Sequence, residues 1–255
     1  MWMRWKRAMI WILIPLCTAC GMGEAQLKRE REASAHYKLG ISYINDNSLQ
    51  RAFIEFQKAI ELDPRYRDAH YALGHVHFMQ ENYKEAVISL QKSLSADPEF
   101  SDAHNYLGKV YEAQGKFDQA ISEYQAALKN LQYATPEKPY LNLGLVYLKQ
   151  EKYDEAVRSF ESVLRINPRP EFIALTQNGL GRAYFQMGKL KESIASYQEA
   201  IRLAPDFVDA HLNLASAYLR EGSKGLAAGS FKKVVELSPK SSQAKEAQKF
   251  LDALR

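Results

Sequence analysis

The chain predicts an all-α solenoid of six helix-turn-helix repeats closed by a carboxy-terminal helix, and three periodic observations carry that prediction. A Leu-Gly or Leu-Ala pair recurs at Leu39-Gly40, Leu73-Gly74, Leu107-Gly108, Leu143-Gly144, Leu180-Gly181 and Leu214-Ala215. Three residues on from each Gly stands an aromatic ring or histidine: Tyr43, His77, Tyr111, Tyr147, Tyr184 and Tyr218. Twelve on is a small residue (Ala52, Ala86, Ala120, Ala156, Ser193, Ala227), and sixteen on a large apolar one (Phe56, Leu90, Tyr124, Phe160, Tyr197, Phe231). Self-similarity at a fixed period of this length marks a stack of supersecondary units, each too small to bury its own apolar faces.

In chain order, the first segment reads as a targeting signal. Residues 1–19 combine a basic start (Arg4, Lys6, Arg7), an apolar stretch from Ala8 to Leu16, and small residues Thr18 and Ala19 before Cys20. The apolar stretch is too short for a membrane span, which needs about 20 residues. Thr18-Ala19-Cys20-Gly21 resembles the lipobox of bacterial lipoproteins, with Cys17 standing where that motif prefers Leu. The resemblance implies cleavage before Cys20, a covalent lipid on its sulfur and, with Gly21 following, an address on the periplasmic face of the outer membrane. The only other cysteine is Cys17, inside the segment that is removed, so no disulfide is expected. The stretch 20–32 then reads as a lipidated Cys followed by a polar tether, Gly21 to Glu32, spanning roughly 40 Å extended or 18 Å helical.

Units follow at 33–66, 67–100, 101–134, 137–170, 174–207 and 208–241, with Thr135-Pro136 and Glu171 to Ile173 as insertions. In each, apolar residues at i, i+3, i+4 and i+7 form two amphipathic helices joined by a short turn such as Asn45-Asp46-Asn47. The Gly of the first helix lets the second approach, and the small residue twelve on completes that contact. Proline ends five of the six units, at Pro64, Pro98, Pro168, Pro205 and Pro239, because it drives the residue before it out of helical conformation. Residues 242–255 carry Ala244, Ala247, Phe250, Leu251 and Leu254 at helical spacing and should cap the stack.

This 34-residue pattern resembles the tetratricopeptide repeat over 33–241. The resemblance implies a right-handed superhelix with a concave groove lined by the second, fifth, ninth, twelfth and thirteenth places of each first helix. Those places hold Tyr37, Ile41 and Ile44, then Tyr71, His75, Phe78 and Met79, then Lys109. They continue with Leu141, Leu145 and Leu148, then Arg182 and Phe185. The first, second and fourth units are mainly apolar there, which marks a surface for a protein partner, an amphipathic helix or extended segment. The Lys and Arg partners of the carboxylate clamp used by some co-chaperones of this family are absent.

A narrower resemblance lies at Tyr133-Ala134-Thr135-Pro136-Glu137-Lys138-Pro139-Tyr140-Leu141-Asn142-Leu143-Gly144. It is similar to the junction between third and fourth repeats in the lipoproteins that act as pilotins for the type IV pilus secretin. This implies a secretin subunit as partner and a role in bringing it to the outer membrane and assembling its ring. The alternative is a scaffold of wider use in envelope assembly: barrel insertion, polysaccharide export or cell-wall construction.

Other chemistries find no support. The formal charge of +4 rests on 34 basic against 30 acidic residues; without Arg4, Lys6 and Arg7 it is 31 against 30, or +1, giving nucleic acid no electrostatic target. There is no Gly-rich phosphate loop, nucleophile elbow or HExxH, so neither an enzyme nor a cofactor or small-molecule substrate is expected. His36, His70, His104 and His211 fall in one register of the repeat and read as packing residues; metal is not expected, since stacked repeats hold them about 10 Å apart. Glu55, Glu61, Glu123 and Glu161 read as solvated charge on outward faces.

Overall fold

The computed structural model describes residues 14–166 and 168–253, with side chains from Gly23 onward. The start of the predicted signal peptide, the Cys20 side chain and Leu254 lie outside the described residues. Among those residues there are thirteen helices and no strand. The chain divides into two units, one ending at Val110 and the other starting at Tyr111.

The first unit holds α1 (Ile14–Asn45), α2 (Leu49–Leu62), α3 (Arg67–Met79), α4 (Tyr83–Ala96) and most of α5 (Ser101–Ala113). Helix α1 is longer than the repeat pattern requires. It runs from the end of the targeting segment through the polar stretch into the first repeat, so that stretch is helical. Gln26 donates to Glu30 at 3.0 Å and Lys28 pairs with Glu32 at 3.9 Å, both at i,i+4 spacing on exposed surface. Helix α2 packs on α1 and on α3 around Ala52, Phe56, Ala72, Leu73 and Val76.

The second unit holds α6 (Phe117–Ala127), α7 (Glu137–Lys149), α8 (Tyr153–Arg165), α9 (Pro170–Gln186), α10 (Leu190–Leu203), α11 (Val208–Glu221), α12 (Lys224–Leu237) and α13 (Ser242–Ala253). Pairs α7/α8, α9/α10 and α11/α12 pack as antiparallel neighbours, and each joins the next through α8/α9 and α10/α11. Both insertions are absorbed at helix starts: Pro136 caps α7, and Glu171 to Ile173 add a turn to α9 behind Pro170 at its first helical position. Helix α13 packs on α12, burying Ala244 and Ala247 and stacking Phe250 on Phe231 at 5.0 Å.

The residue sixteen on from the Gly is what meets it across the helix pair. A Cβ on Gly181 would lie 2.5 Å from the Tyr197 ring. The Phe160 ring faces both Gly144 of its own pair and Gly179 of the next, where a Cβ would lie 2.5 Å away. Glycine is thus demanded by a large side chain pressed on backbone, a ring at Gly40, Gly144 and Gly181 and Leu90 at Gly74, and the residue twelve on adds to the contact, as where Ser193 Oγ donates to the Gly181 carbonyl at 2.8 Å. All six helix-turn-helix turns place one residue at positive φ: Asn47, Glu81, Gly115, Glu151, Gly188 and Gly222. The next residue's N–H then returns to the carbonyl at the aromatic place, as from Asn82 to His77 and from Lys152 to Tyr147, both at 2.9 Å.

The histidine register has a specific bond. Nε2 of His70, His104 and His211 lies 3.0, 3.0 and 2.9 Å from the carbonyl oxygen of Pro64, Pro98 and Pro205, six residues upstream. Each ring N–H ties the end of one repeat to the first helix of the next. His36 has no earlier repeat to hold, and its Nδ1 instead meets Glu55 at 2.6 Å. Glu55 is therefore not solvated: it is 7% exposed, and hydrogen bonds from Lys58, first, and His36 hold its carboxyl below the usual range.

Candidate protein-binding surfaces

The amino-terminal surface is built around a residue outside the predicted set. Tyr106, 9% exposed on α5, has His75 at 5.0 Å, Phe78 at 5.4 Å and Tyr71 at 5.9 Å, all ring to ring and near perpendicular. The Lys109 ammonium sits 5.0 Å from its centroid and 5.7 Å from that of Phe78. Edge-to-face rings and a cation over ring faces are mutually favourable, each adding about 0.5–1.5 kcal/mol beyond area burial. Tyr71 also meets Phe100 at 5.3 Å, over whose ring Arg67 lies at 4.2 Å while bonding Asp68 and Asp97.

Burial sets the protonation states here. Desolvation, with Asp102 second, pushes the Tyr71 phenol up to about 12, and burial drives Tyr106 higher still. Burial and then Lys109 hold His75 below its ordinary value, so the ring is neutral at neutral pH. Ile41 and Met79 are the members left open to solvent, at 36% and 49%. Tyr37 and Ile44 are half-buried and pack on the core around Phe56, with Tyr37 5.3 Å from Tyr66.

In the second unit the predicted residues separate. Leu141 and Leu148 are not groove-exposed: at 7% and 8% they belong to the core around Phe160, and Leu145 packs against it half-buried. The physical reason is that Leu at these places is drawn under the neighbouring helices, where its apolar area leaves water. Leu148 nevertheless forms part of the floor of a groove of about 340 Å³ among α7, α9 and α11, with Tyr197 below and exposed Arg182 and half-buried Phe185 beside it. Asn213 borders the same groove and donates to Asn178 at 3.0 Å. Arg220 lies 4.9 Å over the Phe185 ring and donates to the Phe185 carbonyl at 2.9 Å. Near the start of this unit the buried Tyr124 hydroxyl donates to Glu112 at 2.9 Å, and Glu112 pairs with Lys149 at 2.8 Å.

Tyr106 and Asn213 share the sixth place of their repeats, which the groove prediction omitted. Places two, six, nine and thirteen lie at i, i+4, i+7 and i+11, one face of a helix, so the signal was in the periodicity. No group of three or more His, Cys, Asp or Glu able to hold a metal occurs among the described residues. No helix among them is long and apolar enough to cross a membrane.

A family model described as the tetratricopeptide repeat protein 21 C-terminal ARM domain matches residues 19–176. Two models of the tetratricopeptide repeat match 181–222 and 208–241. Among solved structures, the chain is similar to Pseudomonas aeruginosa PilF at 23% identity and a TM-score of 0.74, covering 87% of this chain and 99% of that one. It is similar to PilW, described as a widely conserved type IV pilus biogenesis factor, at 17% identity and 0.77, covering 85% and 98%. A third similar structure is YrrB, a repeat protein with an unusual peptide-binding site, at 20% and 0.59, covering 76% and 97%. At these identities the likeness is one of fold. No curated protein sequence matches.

Proposed function

The chain belongs to the tetratricopeptide repeat family, whose members bind protein partners, and from that premise we propose that it is a lipid-anchored, non-enzymatic scaffold in type IV pilus biogenesis. In this reading Cys20 carries the lipid at the periplasmic face of the outer membrane. The partner is a secretin subunit, which the scaffold helps to reach that membrane and assemble. The observation that carries the reading is the end-to-end likeness to PilF and PilW, which spans 99% and 98% of those chains. The amino-terminal surface suits such a partner, because a rigid set of interlocked rings presents Ile41 and Met79 as open apolar contacts for an amphipathic helix. Helix α1 continues the repeats toward Cys20, so Gly23–Glu32 acts as a helical spacer of about 15 Å at 1.5 Å per residue.

The test is crosslinking in the native cells, purification through a carboxy-terminal tag and mass spectrometry of the captured proteins. Secretin peptides should be recovered with the natural chain and lost with the Ile41→Glu/Met79→Glu variant. Recovery of other envelope proteins without secretin would retire the pilus reading in favour of a wider envelope scaffold. Metabolic labelling with palmitate should mark the natural chain and not Cys20→Ser; equal labelling of both would remove the anchor from Cys20.

A further inference from the structure

We propose that the groove among α7, α9 and α11 is a second binding site, which takes an extended protein segment carrying a carboxylate next to an aromatic or large aliphatic side chain. It rests on the family's protein-binding role and not on the identity of the pilus partner.

Three cations stand at or beside the groove. Lys149 is already matched by Glu112 at 2.8 Å. Arg220 is committed to the ring and carbonyl of Phe185, and so stiffens one wall. Arg182 is exposed at the groove and has no hydrogen bond or ion pair with any acidic group among the described residues. An exposed guanidinium beside an apolar wall is free to take a carboxylate, which it can hold with two parallel hydrogen bonds.

The surroundings supply the rest of the ligand's chemistry. Leu148 and Phe185 give an apolar floor and wall beside Arg182. Asn213 spends one N–H on Asn178, which leaves its carbonyl and second N–H for the backbone of an extended chain. Glu151 borders the same groove and would repel a carboxylate placed at its end, which sets the polarity of a bound segment with its acid toward Arg182. A volume of about 340 Å³ lies in the lower range of ligand clefts, enough to seat an anchoring side chain and its acidic neighbour but not a packed helix.

The full-length chain in detergent should be titrated against a fluorescein-labelled hexapeptide of alternating Asp and Phe, and against its Asn/Phe counterpart, by fluorescence anisotropy. The acidic probe should bind at least about tenfold more tightly than the amide probe, and Arg182→Glu should remove that advantage, with Arg182→Lys keeping part of it. Leu226→Glu, at a residue 57% exposed on α12 and part of neither surface, should leave both affinities unchanged. Far-UV circular dichroism of Arg182→Glu should match the natural chain, because Arg182 is exposed. Equal affinity for the two probes, or an acidic preference that survives Arg182→Glu, overturns the proposal. So does concentration-dependent dimerisation abolished by Arg182→Glu, which would make a second copy the occupant.

Discussion

The two candidate surfaces use the same repeat places and reach opposite results. At the amino-terminal surface, places five, six and nine hold Tyr71, Tyr106, His75 and Lys109, and the rings fill one another's gaps. In the second unit the ninth and twelfth places hold Arg182 and Phe185, and the sixth holds Asn213, whose amide is shorter than the Tyr106 ring at the same place, so a groove remains. Both stand on the same backbone scaffold, in which a large apolar side chain is pressed against a glycine. What differs is whether the inner face is satisfied internally or left with an unmatched charge. A surface of the first kind offers rigid apolar contact; one of the second kind offers selectivity for charge.

The largest effect should come from breaking the scaffold under the groove. Phe160 is fully buried between Gly144 and Gly179. Phe160→Ala should cost about 3–5 kcal/mol, because transfer and cavity terms add where two backbones hold the site open. Chemical denaturation of the full chain measures it, and a loss under about 1 kcal/mol would show that the helices collapse onto the void.

Tyr106→Ala tests the other surface and should cost about 3 kcal/mol, since it removes the shared partner of three rings and a cation. It should also raise the solvent exposure of Phe78 and Tyr71. Tyr106→Phe keeps the ring and should recover most of the loss. If Tyr106→Phe is as damaging as Tyr106→Ala, the phenol oxygen and not the ring interlock holds the surface.

His75 gives that surface a pH dependence. Burial and Lys109 hold its folded pKa below the unfolded value of about 6.5, so the unfolded chain binds more protons in the window between the two. Stability from this group is complete above pH of about 6.5 and declines as pH falls through the folded value. His77 is shifted the same way by burial, which Glu85 partly offsets, and adds to the slope. His75→Gln should flatten the denaturation midpoint between about pH 5 and 7 relative to the natural chain. An unchanged slope would assign the effect to His77.

Much of this was legible in the sequence, and the misses have physical causes. The helix pairs, the cap and the packing role of the histidines follow from a period that each residue type obeys. The bond from His70, His104 and His211 to a prolyl carbonyl is not visible in residue type alone, although each His lies six residues after Pro64, Pro98 or Pro205. The helical state of residues 23–32 is hidden because that stretch has no apolar face, and helices there rest on i,i+4 pairs and on continuity with the first repeat. Leu141 and Leu148 look exposed from their repeat places, but burial is decided by neighbours, which a single repeat cannot reveal. Glu81 and Glu151 stand at positive φ, where glycine occupies three of the other turns, so the turn geometry is imposed by the pair of helices rather than by the local residue.

Glu151→Gly relieves a left-handed conformation at φ 59°, a gain of up to about 1 kcal/mol set against the greater chain entropy of glycine when unfolded. It also removes the acidic residue bordering the Arg182 groove, so the acidic hexapeptide should bind more tightly while its Asn counterpart does not change. Glu81→Gly makes the same backbone change in the first unit and should alter stability equally without touching either affinity.

The smallest effect on stability should come from the residues that matter most to the amino-terminal surface as a contact. Ile41 and Met79 are 36% and 49% exposed and belong to none of the buried cores, so Ile41→Glu/Met79→Glu should change stability by no more than about 0.5 kcal/mol per site. Truncating a buried ring and charging an open aliphatic residue thus separate the two roles on one surface: Tyr106 maintains its shape, and Ile41 with Met79 meets the partner. If the double variant unfolds at a much lower denaturant concentration than the natural chain, those side chains are structural. The exposed apolar contact would then have to be sought elsewhere on α1 and α3, with Leu39, 42% exposed on α1, the first residue to change.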